Sequence, residues 1–155
     1  MWQGEVVSVH VAPAAGAPMK TLDIACALPG RGLEGDRYAE EVGTYSKRLG
    51  AQRQVTLIEA EVLERIRADH GIDLAPGSCR RNIVTRGVPL GHLVGKRFRV
   101  GEATLRGVRL NEPCMYFENL VGLKGVMEAL LHRSGLNAEV LEGGAIRPGD
   151  AVRAE

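Results

Sequence analysis

The tripeptide Glu112-Pro113-Cys114 follows an alternating stretch that ends at Leu110, and Tyr116 and Phe117 stand just beyond it. Proline stiffens the backbone one residue before the thiol, and the two aromatic rings can pack beside it. A cysteine held this way at the end of a strand can act as a nucleophile or as a soft metal ligand. Both roles belong to the thiolate, so a nearby cation would favour them. The opposing reading is that an unpaired cysteine is a small hydrophobe, among the most buried residue types.

Two further segments carry groups able to grip an anion. Arg80-Arg81-Asn82 precedes an extended run, with Arg86-Gly87 at its far end. Guanidinium offers a planar donor fork matched to phosphate and carboxylate, and asparagine adds a donor and an acceptor. In Gly35-Asp36-Arg37-Tyr38, Asp36 and Arg37 could orient a ligand or each other, or Asp36 could simply hold a turn. No G-x-G-x-x-G in the sequence follows a strand and opens a helix, and there is no Walker loop, C-x-x-C, H-E-x-x-H or G-x-S-x-G, so dinucleotide, zinc and serine-hydrolase readings lack their usual signals. His10, His70, His92 and His132 are isolated from one another.

Short strands must position these groups. Gly4–Val11 reads as a β-branched first strand, and a second extended segment is expected over Thr21–Ala27. Glu40–Gly50 is polar and reads as irregular. Arg53–Ile58 reads as a strand running into a helix, with Thr56 and Glu59 at capping-box spacing and Gly71 as the C-terminal cap. A second helix is expected over Gly122–Ser134, ended by Gly135. Asn82–Thr85, Arg97–Val100, Ala103–Leu110, Ala138–Leu141 and Ala151–Arg153 read as further strands. Turns at Gly101-Glu102 and Pro148-Gly149-Asp150 separate some of them. Many short strands with about two accessory helices predict a mainly β, barrel-like sheet.

A chain of 155 residues suits one domain spanning 1–155 and has enough length to bury a sizeable core. Lys+Arg total 20 against 19 Asp+Glu, a net charge of +1, which argues against a general nucleic-acid binder. No run approaches the roughly 20 apolar residues of a membrane span, so no membrane partner is expected. Met1–Val11 lacks the basic and apolar regions of a signal peptide. Three widely spaced cysteines, Cys26, Cys79 and Cys114, do not make a disulfide framework, so a cytoplasmic location is expected.

The ordered segments 32–38, 53–59, 80–87, 93–101, 112–114 and 143–150 together resemble the MOSC domain, named for the C-terminal domain of molybdenum cofactor sulfurase. The likeness runs from about Gly4 to Val152. It implies a β-barrel-like fold and a site for the molybdenum cofactor (molybdopterin). It implies that Cys114 carries a persulfide for sulfur transfer, or ligates molybdenum as in amidoxime-reducing relatives. Arg80 and Asn82 match the family's R-x-N element, facing the cofactor's phosphate or pterin side. Arg81 occupies the variable middle position, and Asp36 and Arg37 fall on a second characteristic segment. Asn111 stands where some relatives carry a second cysteine. The resemblance further implies a pyridoxal phosphate (PLP)-dependent cysteine desulfurase as sulfur donor, or a molybdoenzyme as partner, since this chain shows no PLP site of its own. The chain shows no counterpart of the N-terminal barrel that accompanies amidoxime-reducing members, so a sulfur carrier or transferase is expected ahead of an oxidoreductase of N-hydroxylated compounds or a non-catalytic pterin-binding module.

Overall fold

The computed structural model describes residues 1–43 and 53–155. Its chain order begins with β1 (Gln3–Val11), β2 (Lys20–Leu22), β3 (Ala25–Leu28), β4 (Gly32–Leu33) and β5 (Val55–Glu59). Helix α1 (Ala60–His70), β6 (Ile83–Arg86), β7 (Arg97–Val100) and β8 (Ala103–Leu110) follow. Helices α2 (Met115–Val121) and α3 (Val126–Ala129) then precede β9 (Leu136–Glu142), β10 (Gly144–Ile146) and β11 (Ala151–Ala154).

Among the described residues, seven strands close into a barrel in the order β1-β11-β7-β8-β9-β5-β6 and back to β1, with β2 added beside β1. Closure removes free sheet edges, the usual liability of a small β fold. The β5–β6 pair is parallel, and α1 makes the crossover between the two strands. Strands β10, β3 and β4 form a separate three-stranded sheet.

The sequence pattern explains two cores. Val55 and Leu57 of β5 face the barrel interior with Phe98, Leu105 and Leu136. Ile58 and Val84 face outward and pack with Leu63, Ile66, Phe117, Val126 and Leu130 of the helical layer. Strand β5 is therefore covered on both faces, and its apolar run needs no alternation. Along β1 the register shifts between Val6 and Ser8, which puts Val6 and Val9 on the same interior face. That bulge is why the strand alternates only partly in sequence.

Several sequence expectations need correction. Thr21–Ala27 is two strands in different sheets, β2 and β3. Thr56 does not cap a helix: the N-cap residue of α1 is Glu59, without a side-chain capping bond, and Thr56 is a buried strand residue bonded to Asn82. The expected helix over Gly122–Ser134 is replaced by α2 and α3. Gly122 has a φ of 71° and ends α2, so the helix begins earlier, immediately after Cys114. Gly135, expected to stop that helix, instead lets the chain pass the backbone of β5: a Cβ there would lie 1.9 Å from the Leu57 carbonyl oxygen. The helices among the described residues number three, and the fold is the expected mainly β barrel with a few accessory helices. Gly71 caps α1 in the left-handed conformation, as its position suggests, with φ 66°. Most of the polar stretch Glu40–Gly50 lies outside the described residues.

Candidate functional site

A cleft forms where the N-terminal end of β5, the segment before β6 and the β8–α2 junction meet beside the helical layer. About 470 Å³ of space lies among its lining side chains, open solvent at the mouth included. Among the described residues four arginines line it, Arg37, Arg53, Arg80 and Arg81, together with Tyr38, Thr56, Asn111, Glu112, Cys114, Tyr116, Phe117 and Leu120. Sequence segments separated by dozens of residues thus converge on one concavity.

Cys114 sits four residues beyond β8, as the N-cap residue of α2, in extended conformation (φ −143°, ψ 165°). It is half-buried, whereas Cys26 is exposed and Cys79 is buried. The Cys79 thiol donates to the Pro76 carbonyl at 3.1 Å, and burial pushes its pKa up. Of the three thiols, Cys114 is the one that opens into the cleft.

Arg80 adopts a left-handed backbone, φ 65°, which is uncommon outside glycine. Its guanidinium donates to the Ala17 carbonyl, and its own carbonyl accepts from Arg37 Nη2 at 3.3 Å. Burial, followed by the charge of Arg37, lowers its pKa. Arg81 is 5 % exposed. Its Nε donates to the Ser134 carbonyl at 3.1 Å, Nη2 to the Ser134 hydroxyl at 2.7 Å, and Nη1 to the Cys79 carbonyl at 3.3 Å. The guanidinium also lies 5.1 Å from the centroid of the Phe117 ring. Burial is the main cause that pulls its pKa to about 10, so it stays charged at neutral pH.

Asn82 and Asp36 lie behind the cleft wall, each fully buried. Asn82 Oδ1 accepts from the Thr56 backbone N–H at 3.0 Å and from the Thr56 hydroxyl at 3.2 Å, while Nδ2 donates to the His10 carbonyl at 3.0 Å. One amide therefore ties together β1, β5 and the start of β6. Asp36 accepts from the Ala12 N–H at 3.0 Å, the Tyr38 N–H at 3.2 Å and Arg37 Nη1 at 3.0 Å. It fixes Arg37, which stacks 4.6 Å from the centroid of the Tyr38 ring. The structure thus brings Arg37, Arg80, Arg81 and Cys114 to the cleft and sets Asp36 and Asn82 as supports behind it.

Arg53, Thr56, Asn111, Glu112 and Tyr116 also line the cleft, although sequence reading did not single them out as site residues. Arg53 Nη1 donates to the Tyr38 hydroxyl at 3.5 Å. Asn111 Nδ2 donates to Asn137 Oδ1 at 2.6 Å, and its Oδ1 accepts from the Ser134 hydroxyl at 3.5 Å. The Ser134 hydroxyl therefore links Arg81 to the segment that presents Cys114. The one available signal was proximity: Asn111 and Glu112 stand just before the thiol, and Arg53 lies two residues before β5. Among the described residues no cluster of His, Cys, Asp and Glu is arranged to hold a metal ion, and no helix is long and apolar enough to cross a membrane.

Comparison with known proteins agrees with the barrel. The YuaD protein from Bacillus subtilis superposes with a TM-score of 0.77 at 20 % identity, covering 98 % of this chain and 97 % of that one. YiiM from Geobacillus stearothermophilus gives 0.72 at 16 % identity, with coverage of 98 % and 75 %. YiiM from Escherichia coli gives 0.66 at 17 % identity, with coverage of 97 % and 69 %. At these identities the likeness concerns the fold. No curated protein matches the chain in sequence. The family model of the MOSC domain matches residues 44–153, which include Arg53, Arg80, Arg81, Asn82 and Cys114, while Asp36 and Arg37 precede the match. The chain belongs to the MOSC domain family.

Proposed function

We propose that this protein is a molybdenum-cofactor-associated sulfur carrier, with Cys114 holding sulfane sulfur as a persulfide. One observation carries the reading: a half-buried thiol opens into a cleft lined by four guanidinium groups. Cations near sulfur favour thiolate over thiol, and thiolate is the form that accepts sulfur. Loading would break the S–S bond of a donor persulfide and form one at Cys114 Sγ, with the donor leaving as thiolate and no net change in electron count. A PLP-dependent cysteine desulfurase is the donor class that carries such a persulfide.

The donor set also fits the cofactor. Arg80 and Arg81 would hold its phosphate through charge-assisted hydrogen bonds, and Asp36 would keep Arg37 oriented beside them. Bound there, the cofactor would supply a molybdenum centre for which a soft sulfur ligand is suited. Phe117 and Leu120 provide apolar wall, which limits water around the thiol.

The test is to incubate the protein with a cysteine desulfurase and cysteine, then map sulfur adducts by peptide mass spectrometry. The expected result is one added sulfur on the Cys114 peptide, absent in Cys114→Ser. Sulfur uptake unchanged in that variant would exclude the carrier role. Molybdenum that co-purifies and is lost with Cys114, without any sulfur adduct, would point to an oxidoreductase.

A further inference from the structure

We infer that the cleft takes a small dianionic sulfur donor of the thiosulfate class, which loads Cys114 directly without a partner protein; this rests on reading Cys114 as a sulfur carrier.

The inference starts from a charge imbalance. Arg80 and Arg81 are consecutive, both line the cleft, and every protein acceptor they meet is neutral: the Ala17 carbonyl for Arg80, and the Ser134 carbonyl, Ser134 hydroxyl and Cys79 carbonyl for Arg81. Neither forms an ion pair with a described residue, although nine such pairs occur among the described residues. Arg37, by contrast, has its carboxylate in Asp36 at 3.0 Å. A guanidinium that is 5 % exposed and lacks a counter-charge is costly to keep in a protein interior. Arg81 in the interior and half-buried Arg80 beside it thus offer two guanidinium charges without an ion-pair partner, against one carboxylate in the cleft lining, Glu112, and an anion that enters the cleft can meet both.

The depth of these groups decides what kind of anion can meet them. Arg81 is 5 % exposed and Arg80 is half-buried, so a small molecule that enters the cleft reaches them more readily than the surface of a docked protein does. The thiol lining the same cleft decides the chemistry. Thiosulfate is a dianion with a transferable sulfane sulfur, and its sulfonate oxygens match guanidinium donors. The Cys114 thiolate attacks the outer sulfur; the S–S bond of thiosulfate breaks, and a Cys114 Sγ–S bond forms. Sulfite leaves with the electron pair and both negative charges, and Cys114 is left as the persulfide anion. Charge and electrons balance with no outside reductant. Guanidinium groups stabilise the charge as it moves onto the leaving sulfite. Departure of sulfite frees the same seat for the phosphate of an acceptor, so donor and acceptor would use it in turn.

The experiment follows persulfide at Cys114 by mass spectrometry and sulfite in solution, with thiosulfate as donor and, in parallel, a cysteine desulfurase with cysteine. Expected are one sulfite released per Cys114 loaded, inhibition by inorganic phosphate, and a thiosulfate half-loading concentration raised at least tenfold in Arg80→Gln. Arg53→Gln, at another arginine of the cleft lining, is a second variant should Arg80→Gln fold poorly, and the phosphate competition needs no variant at all. Loading by the desulfurase but not by thiosulfate would overturn this inference and leave the carrier reading intact. Thiosulfate loading insensitive to both phosphate and the arginine variants would overturn it as well. Failure of both donors on folded protein would remove the carrier reading together with it.

Discussion

The three cysteines differ in what surrounds them, and their reactivity should differ accordingly. Native protein treated with an alkylating reagent should modify Cys26 and Cys114 and spare Cys79, whose thiol is buried, bonded to Pro76 and shifted upward in pKa. Rapid modification of Cys79 in the native state would contradict that geometry. Arg80 lends itself to a cleaner test, because its left-handed backbone carries strain of about 1–2 kcal/mol for a residue with a Cβ. Glycine relieves this strain but adds chain entropy and loses the bond to Ala17. Arg80→Gly should therefore melt within about 1 kcal/mol of wild type while its affinity for phosphate falls at least tenfold, as calorimetric titration would show. Unchanged anion affinity would mean that the strained residue is not held for ligand binding.

Among the secondary-structure elements, the junction of β1, β5 and β6 depends on Asn82. Asn82→Ala strips the buried Thr56 N–H and the His10 carbonyl of their side-chain partners, and should cost about 2–4 kcal/mol in urea denaturation. A loss below roughly 0.5 kcal/mol would show that the junction is held otherwise. This is also where sequence reading reached its limit. Strands β7 and β8 were legible because Gly101-Glu102 supplies a short turn between two β-rich runs. Sequence alone does not locate the helix after Cys114, because Gly122 caps one helix and does not start the next, and apolar spacing from Leu123 to Leu131 suits either arrangement. Thr56 and Glu59 have the spacing of a capping box, but tertiary pairing with Asn82 claims the threonine hydroxyl. Cys114, Arg80 and Arg81 could be named from residue type, whereas Arg53 and Asn111 join them only through folding, since no local pattern marks distant residues that will share a wall.

Across the whole molecule, the first and last strands of the barrel, β1 and β11, pair directly, so closure joins the two ends of the chain. On β1, His10 is 2 % exposed, with Nδ1 3.0 Å from the Thr21 hydroxyl and Nε2 2.8 Å from the Ser8 hydroxyl. Burial lowers its pKa from 6.5, so the folded state resists the proton that the unfolded chain accepts. The unfolded state then binds more protons just below pH 6.5, and stability should drop as pH falls through that point, levelling off below the folded pKa. The slope for this one group cannot exceed about 1.4 kcal/mol per pH unit. Urea midpoints from pH 7.5 down to about pH 5 would show the decline, and His10→Gln should flatten it. A His10→Gln profile as steep as wild type would assign the pH dependence to other groups.

The most direct test of the account as a whole is the intact mass and molybdenum content of protein purified from a host that makes the cofactor, wild type beside Cys114→Ala. The expected outcome is an added sulfur on wild type that disappears with Cys114, while the variant stays folded. Identical masses for the two proteins, after allowing for the substitution itself, with no molybdenum in either, would contradict the placement of sulfur chemistry at Cys114.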